Sequence, residues 1–274
     1  MKTWIASLNN LLPMGLRSQS SKNSIDATPT TIDTNSCWWG DFSIGDEQSR
    51  FFKIGNVVIC LDRYNNEWNI TTHREGEQPF KSFSAQAANR ITLKPVLPDK
   101  PILCKLDRPL YIPSGESIQL YISAPVWIRI EAGTAATVID EIPTEVLPDT
   151  WFGNNTRDGE LCYANRYPCS PYLDDLIRDT TSITIPFLIT NQTKSTMLIE
   201  TLKVPLNNLS IYRDAENSFW TEQLHLRHDD KNPVLIDPIV QGVMKTLKTP
   251  ERISQARLPL KQKLHSLFNP FTWK

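Results

Sequence analysis

From Trp38 to about residue 237, apolar side chains recur at every second position, and proline and glycine repeatedly interrupt the run. A period of two gives one apolar and one polar face only if the backbone is extended, because successive side chains leave a strand on opposite sides. FFKIGNVVICLDRYNNEWNITT predicts strands at Phe51 to Ile54, Asn56 to Arg63 and Trp68 to Thr72. Asn65-Asn66 supplies a turn between the last two, since asparagine tolerates positive φ. ITLKPVL, SIQLYI, VWIRIEA and TVIDEI follow at short spacing. In TSITIPFLITN, Ile183, Ile185, Phe187 and Ile189 share a face. Pro186 lacks an amide hydrogen, which places that strand at an edge or a bulge. MLIETLKV, LSIYRD, FWTEQLHLRH and PVLI continue the series. Short strands separated by turn residues predict a mainly β chain of antiparallel, sandwich-like sheets.

Prolines outnumber glycines by 20 to 10. That suits short, edge-bounded strands, because proline is excluded from helix interiors and central strands. A chain of 274 residues has room for two domains of ordinary size. The expected division is a helix at Trp4 to Leu12 with a polar linker (1–34), a β domain (35–149), an immunoglobulin-like sandwich (150–240) and a basic helical tail (241–274). The Cys–Trp–Cys spacing of antibody domains is absent. In the tail, Leu260, Leu264, Leu267 and Phe268 fall at i, i+4, i+7 and i+8, an amphipathic helical stripe between Pro259 and Pro270. With Lys261 and Lys263 beside it, this stripe is expected to meet an anionic membrane surface or a partner, or else to fold back on the sheets.

The net charge of −1 argues against a nucleic-acid binder, whose phosphate contacts need a surplus of lysine and arginine. The N-terminal stretch lacks the apolar core of a signal peptide, and no apolar run is long enough to span a bilayer. A cytoplasmic protein is therefore expected, with its five cysteines as thiols. Asn69, Asn154, Asn191 and Asn208 each begin an N-x-[ST] triplet, which is without consequence in that compartment.

DTWFGNNTRDGELCYANR, from Asp149 to Arg166, holds the densest set of reactive side chains. Asp158-Gly159 is a turn dipeptide, and Gly153 can adopt a backbone closed to bulkier residues. Strand ends are expected at Thr150 to Phe152 and Glu160 to Tyr163, with Leu161 and Tyr163 on one face. Glu160, Cys162 and Arg166 then share the other. Trp151, Glu160, Cys162 and Arg166 are the candidate binding residues of this stretch. The alternative is a hairpin that serves folding alone, with Trp38, Trp39, Trp127, Trp151 and Trp220 filling the core, each burying roughly 200 Å². Cys162 would need a basic neighbour to act as a nucleophile, and no histidine lies near it in sequence.

His225 and His228 with Asp229 and Asp230 have a spacing that would bind metal from a helix. The alternation of Trp220, Glu222, Leu224 and Leu226 makes the segment a strand, so no metal or cofactor is expected. Glycoside hydrolysis would need two carboxylates about 5 to 9 Å apart. Glu160, Glu67 and Asp62 are the loop-flanking choices, and a hydrolase or carbohydrate-binding module using Glu160, Glu67 or Cys162 beside tryptophan is the alternative function. No phosphate loop, HExxH or GxSxG motif occurs.

The ordered set Trp39-Gly40, Glu67-Trp68, PVWIRI from Pro125, DTWFG…GELCYA from Asp149, VPLNNLSIY from Val204 and Trp220-Thr221 resembles an uncharacterised bacterial and archaeal family. That family is called domain of unknown function 432, and the likeness covers about residues 38 to 228. Archaeal members place a basic residue soon after the cysteine, whereas this chain has Tyr163 and only later Arg166. The resemblance implies no assigned activity. It does imply company with small mechanosensitive channels, and so a protein partner at the inner face of a membrane. The expected function is a non-catalytic interaction or accessory protein that makes contact through exposed edge strands and its tail.

Overall fold

A computed structural model describes residues 37–65, 67–74, 80–84, 90–153, 159–231, 235–239, 247, 250–258 and 264–265. The expected alternation does produce strands. The first ten are β1 (Gly40–Ser43), β2 (Gln48–Ile54), β3 (Val57–Tyr64), β4 (Glu67–His73), β5 (Phe80–Ser84), β6 (Arg90–Val96), β7 (Ile102–Ile112), β8 (Ser117–Pro125), β9 (Trp127–Ala132) and β10 (Thr137–Pro143). They are followed by β11 (Asp149–Phe152), β12 (Glu160–Asn165), β13 (Cys169–Ser170), β14 (Ser182–Asn191), β15 (Met197–Val204) and β16 (Ile211–Arg213). The last are β17 (Phe219–Trp220), β18 (Gln223–His228), β19 (Leu235–Ile239), β20 (Glu251–Ser254) and β21 (Leu264–His265). A 3-10 turn at Leu173–Asp175 is the only helical element among the described residues.

The strands form four sheets. Two have the orders β1-β6-β9-β10 and β2-β3-β4-β5. A third runs β11-β12-β7-β15, and the largest runs β20-β16-β17-β14-β18-β19-β21 with β8 and β13 attached through β14. Asn65 adopts φ +50° in the turn between Tyr64 and Glu67, which are register partners, as the asparagine pair predicts. The sheets are mixed rather than antiparallel: β12 runs parallel to β7, and β14 runs parallel to both β17 and β18.

Three further expectations are corrected. Pro186 does not put its strand at an edge, for β14 has β8 on one side and β17 and β18 on the other. The proline is accommodated because it falls where the parallel partner changes, between Thr184 opposite Trp220 and Phe187 opposite Leu224. The boundary expected at residue 150 cuts through sheets, since β8 pairs with β14 and β7 with both β12 and β15. Residues 150–240 therefore do not close an immunoglobulin-like sandwich of their own, and residues 32–274 cluster as one compact unit. In the tail, Leu264–His265 is extended, opposite Leu235 and Ile236, so a helix does not run through Leu264. Four apolar positions at helical spacing did not suffice to exclude an extended backbone at Leu264. Leu260, Lys261, Lys263, Leu267 and Phe268 lie outside the described residues, as does the helix expected at Trp4 to Leu12.

One apolar cluster draws on all four sheets, including Ile59 and Trp68, Leu93 and Ile130, Ile102 and Leu202, and Ile185 and Phe187. Burial of this kind, about 25 cal/mol per Å² of apolar area, is the main force holding the sheets together. Trp38 and Trp220 are buried and Trp39 and Trp127 half-buried, while Trp151 departs from the expected core set at 41% exposure.

Candidate functional site

The Asp149 to Arg166 stretch folds as an antiparallel hairpin, β11 against β12, with Thr150 opposite Cys162 and Phe152 opposite Glu160. Gly153 takes φ +142° just past β11, a conformation that L side chains rarely adopt. The hairpin presents two unlike faces because register partners project to the same side.

On the inner face Phe152 and Cys162 are buried. Lys203, from β15, is itself buried, stands over the Phe152 ring at 5.4 Å, and donates to Glu160 Oε2 at 2.8 Å. Burial pushes the Cys162 thiol up to about 11; the Glu160 carboxylate adds to the rise and the Lys203 ammonium opposes it. A thiol so placed is held as SH near neutrality, the reverse of nucleophile activation. Lys203 is not among the residues predicted from the sequence. Its signal was a lysine between Leu202 and Val204 in a run where both neighbours go into the core.

The outer face is different. Trp151 and Leu161 are register partners and are exposed by 41% and 42%. The Trp151 indole lies against Gly159, where an added Cβ would come within 2.0 Å of indole Nε1. Two residues along β12, Tyr163 meets Trp127 of β9 with ring centroids 6.1 Å apart. The Tyr163 hydroxyl donates to Asp99 Oδ1 at 2.8 Å, and Lys100 stands 4.6 Å over its ring while bonding Asp149 Oδ1 at 2.8 Å. Burial first, then Asp99, raises the Tyr163 phenol above its usual range. Trp151, Leu161, Tyr163 and Trp127 thus form one strip, with Asp99, Lys100 and Asp149 on its border. The strip continues to Arg257, 5.9 Å over Trp127, which donates to Leu97 O and to the Glu141 carboxylate.

The other sequence-predicted residues do not join this arrangement. Arg166 follows the end of β12 and is exposed. Glu67 lies on a separate sheet, opposite Tyr64 and Ser84, and Asp62 lies in β3, accepting from the Cys60 thiol at 3.3 Å. His225 and His228 sit three apart on β18 and so project to opposite faces, with His225 Nε2 at 2.9 Å from Thr190 Oγ1. Among the described residues no group of three or more His, Cys, Asp or Glu is gathered for a metal. Asn191, in one of the N-x-[ST] triplets, is wholly buried, its amide donating to Ile112 O, Pro113 O and Ser195 O. Among the described residues no helix is long and apolar enough to cross a membrane.

The family described as protein of unknown function (DUF432) matches residues 38–270. No curated protein and no solved structure matches the chain.

Proposed function

We propose, from the premise that the chain belongs to the DUF432 family, that it is a non-catalytic interaction protein whose docking face is the outer side of the β11–β12 hairpin. One observation carries the reading: two large apolar side chains, Trp151 and Leu161, stand opposite each other in the open on a hairpin whose other side is locked. Exposed tryptophan on a rigid support is a characteristic anchor of protein interfaces, because it buries much area and loses little entropy on binding. The inner face provides the support through the Lys203–Glu160 bond and buried Phe152. β11 is the outermost strand of its sheet, so a partner strand could add beside it.

The partner suggested by the resemblance is a mechanosensitive channel, met in the cytoplasm at the inner face of the membrane. The rival reading, a hydrolase or sugar-binding module, has less geometric support. Glu160 is committed to Lys203, the Cys162 thiol is raised, and Glu67 is on another sheet. An exposed indole could still stack on a sugar, so the test carries a glycan arm.

The full chain is used as bait for detergent-solubilised membrane proteins and, separately, on a glycan array. W151A with L161S should abolish capture of the channel while leaving the circular dichroism spectrum and Tm unchanged; E160Q should retain capture. Capture unaffected by the double substitution would remove the hairpin from the account, and glycan binding lost with W151A alone would favour the rival.

A further inference from the structure

A second feature lies away from the hairpin and does not depend on that reading. Where the chain passes from β1 into β2, Ser43, Ile44, Gly45, Arg63 and Arg90 line a depression of about 470 Å³. Its lining holds two guanidinium groups and, among the described residues, no carboxylate. We propose that this depression is a binding site for a phosphate group, either a free phosphate ester or the headgroup of a lipid.

The two arginines come from different sheets, Arg63 from β3 and Arg90 from the start of β6. Arg63 is fixed in direction: its Nη1 donates to Ile44 O at 3.2 Å and its guanidinium stands 5.7 Å over the Trp68 ring. Trp68 is wholly buried, so that support does not shift. Ser43 is the register partner of Arg90 and lines the same depression, which adds a hydroxyl to its wall. One planar guanidinium fork matches one planar carboxylate. Two guanidinium groups from separate supports, lining one depression, suit a tetrahedral group that can offer an oxygen to each. The volume leaves room for the rest of an ester.

Asp41 sets the affinity. Its carboxylate pairs with Arg90 and accepts from the Thr92 hydroxyl at 2.5 Å, and those two groups hold its carboxyl below the usual range. Asp41 is outside the lining but competes for the same guanidinium, so an incoming phosphate must share Arg90 with it. Removing that competitor should tighten binding, an effect that nonspecific attraction by surface arginines would give only weakly.

The test is calorimetric titration of the full chain with inorganic phosphate and with glycerol phosphate, at constant ionic strength set with chloride. Saturable one-site binding is expected. R90Q should weaken it about tenfold, the worth of one charge-assisted hydrogen bond, and D41N should tighten it severalfold. R63K, which keeps the charge but loses the fork, should weaken it as well. If R63K lowers Tm, R90Q and D41N, both at exposed positions, decide alone. Sedimentation with phosphatidic acid vesicles, against phosphatidylcholine alone, separates the sources. Capture that glycerol phosphate competes away assigns the headgroup, and phosphate binding without capture assigns a soluble ester. Absence of saturable binding to phosphate, glycerol phosphate and phosphatidic acid vesicles, or an R90Q affinity equal to that of the unsubstituted chain, would overturn the proposal.

Discussion

Gly159 shows how one residue ties sequence to surface. The turn dipeptide Asp158-Gly159 accounts for a glycine at the loop, but the more demanding constraint is steric, since the Trp151 indole occupies the place of a Cβ. G159A must therefore push the indole off the strand, and the tip of an exposed side chain can yield where backbone could not. We expect the variant to fold, with a loss of about 1–2 kcal/mol, a shifted tryptophan emission and weakened partner capture. Unchanged emission would mean that the indole does not rest on Gly159. The thiols offer a second test at this scale. Burial raises all four thiols of Cys37, Cys60, Cys104 and Cys162, but Cys37 is exposed and the other three are buried, so access separates them. In the native protein a thiol reagent should modify Cys37 quickly, and C37S should abolish the fast phase; the three buried thiols should react only on unfolding. Fast labelling that survives in C37S and disappears in C162A would instead mark Cys162 as activated.

Elements are held to one another by a few charged groups as well as by the core. The segment 250–258 straps the largest sheet to the β1-β6-β9-β10 sheet: β20 pairs with β16, Ser254 donates to Pro95 O, and Arg257 reaches Leu97 O and Glu141. Glu141 also accepts from Arg129 Nε at 2.7 Å. Burial pushes its carboxyl up, but Arg257 and Arg129 outweigh that and hold it below the usual value of 4.5. A carboxyl lowered in the folded state adds stability that is fully present above its unfolded pKa and is lost as pH falls through the folded one. E141Q should therefore cost about 1–2 kcal/mol near neutrality, and the difference should shrink in acid, read from urea midpoints at both pH values. A difference that stays constant with pH would assign the loss to packing. The sequence disclosed the elements unevenly. Strands such as SIQLYI were legible because apolar Ile118, Leu120 and Ile122 recur at every second position. β7 was not foreseen, because Lys105, Asp107, Arg108 and Pro109 break the pattern at exposed positions. FFKIGNVV and its neighbours fixed a hairpin locally, whereas the Trp127–Tyr163 contact joins strands whose approach no local pattern encodes. Glu222 marks a similar limit. FWTEQLHLRH reads as one strand, yet the chain breaks at Thr221-Glu222, where the buried carboxylate accepts from Ser210 N at 2.6 Å and Tyr212 OH at 3.1 Å.

At the scale of the whole molecule the question is whether the chain melts as one body or two. The sequence suggested two, because length and a turn-rich stretch near residue 150 are all that a boundary shows in advance. The sheets argue for one. β8 and β14 share nine register pairs across that boundary, and β7 is held between β12 and β15, which both follow it. Separating residues 35–149 from 150–240 would strip partners from the centres of two sheets and expose Leu120, Ile122, Ile185 and Phe187, none of them more than 2% accessible. Exposure of that much apolar surface is too unfavourable for one half to persist without the other. Calorimetric and circular dichroism melts should therefore coincide in a single transition. I122A and I185A, on either side of the supposed boundary, should each lower the whole of it by about 2–5 kcal/mol. Pairings so distant in sequence also make refolding slow, in the range of about milliseconds to seconds. Two resolved transitions, each sensitive to only one of these substitutions, would restore the two-domain reading, and the hairpin's rigid support in β7 and β15 would then have to be argued from one half alone.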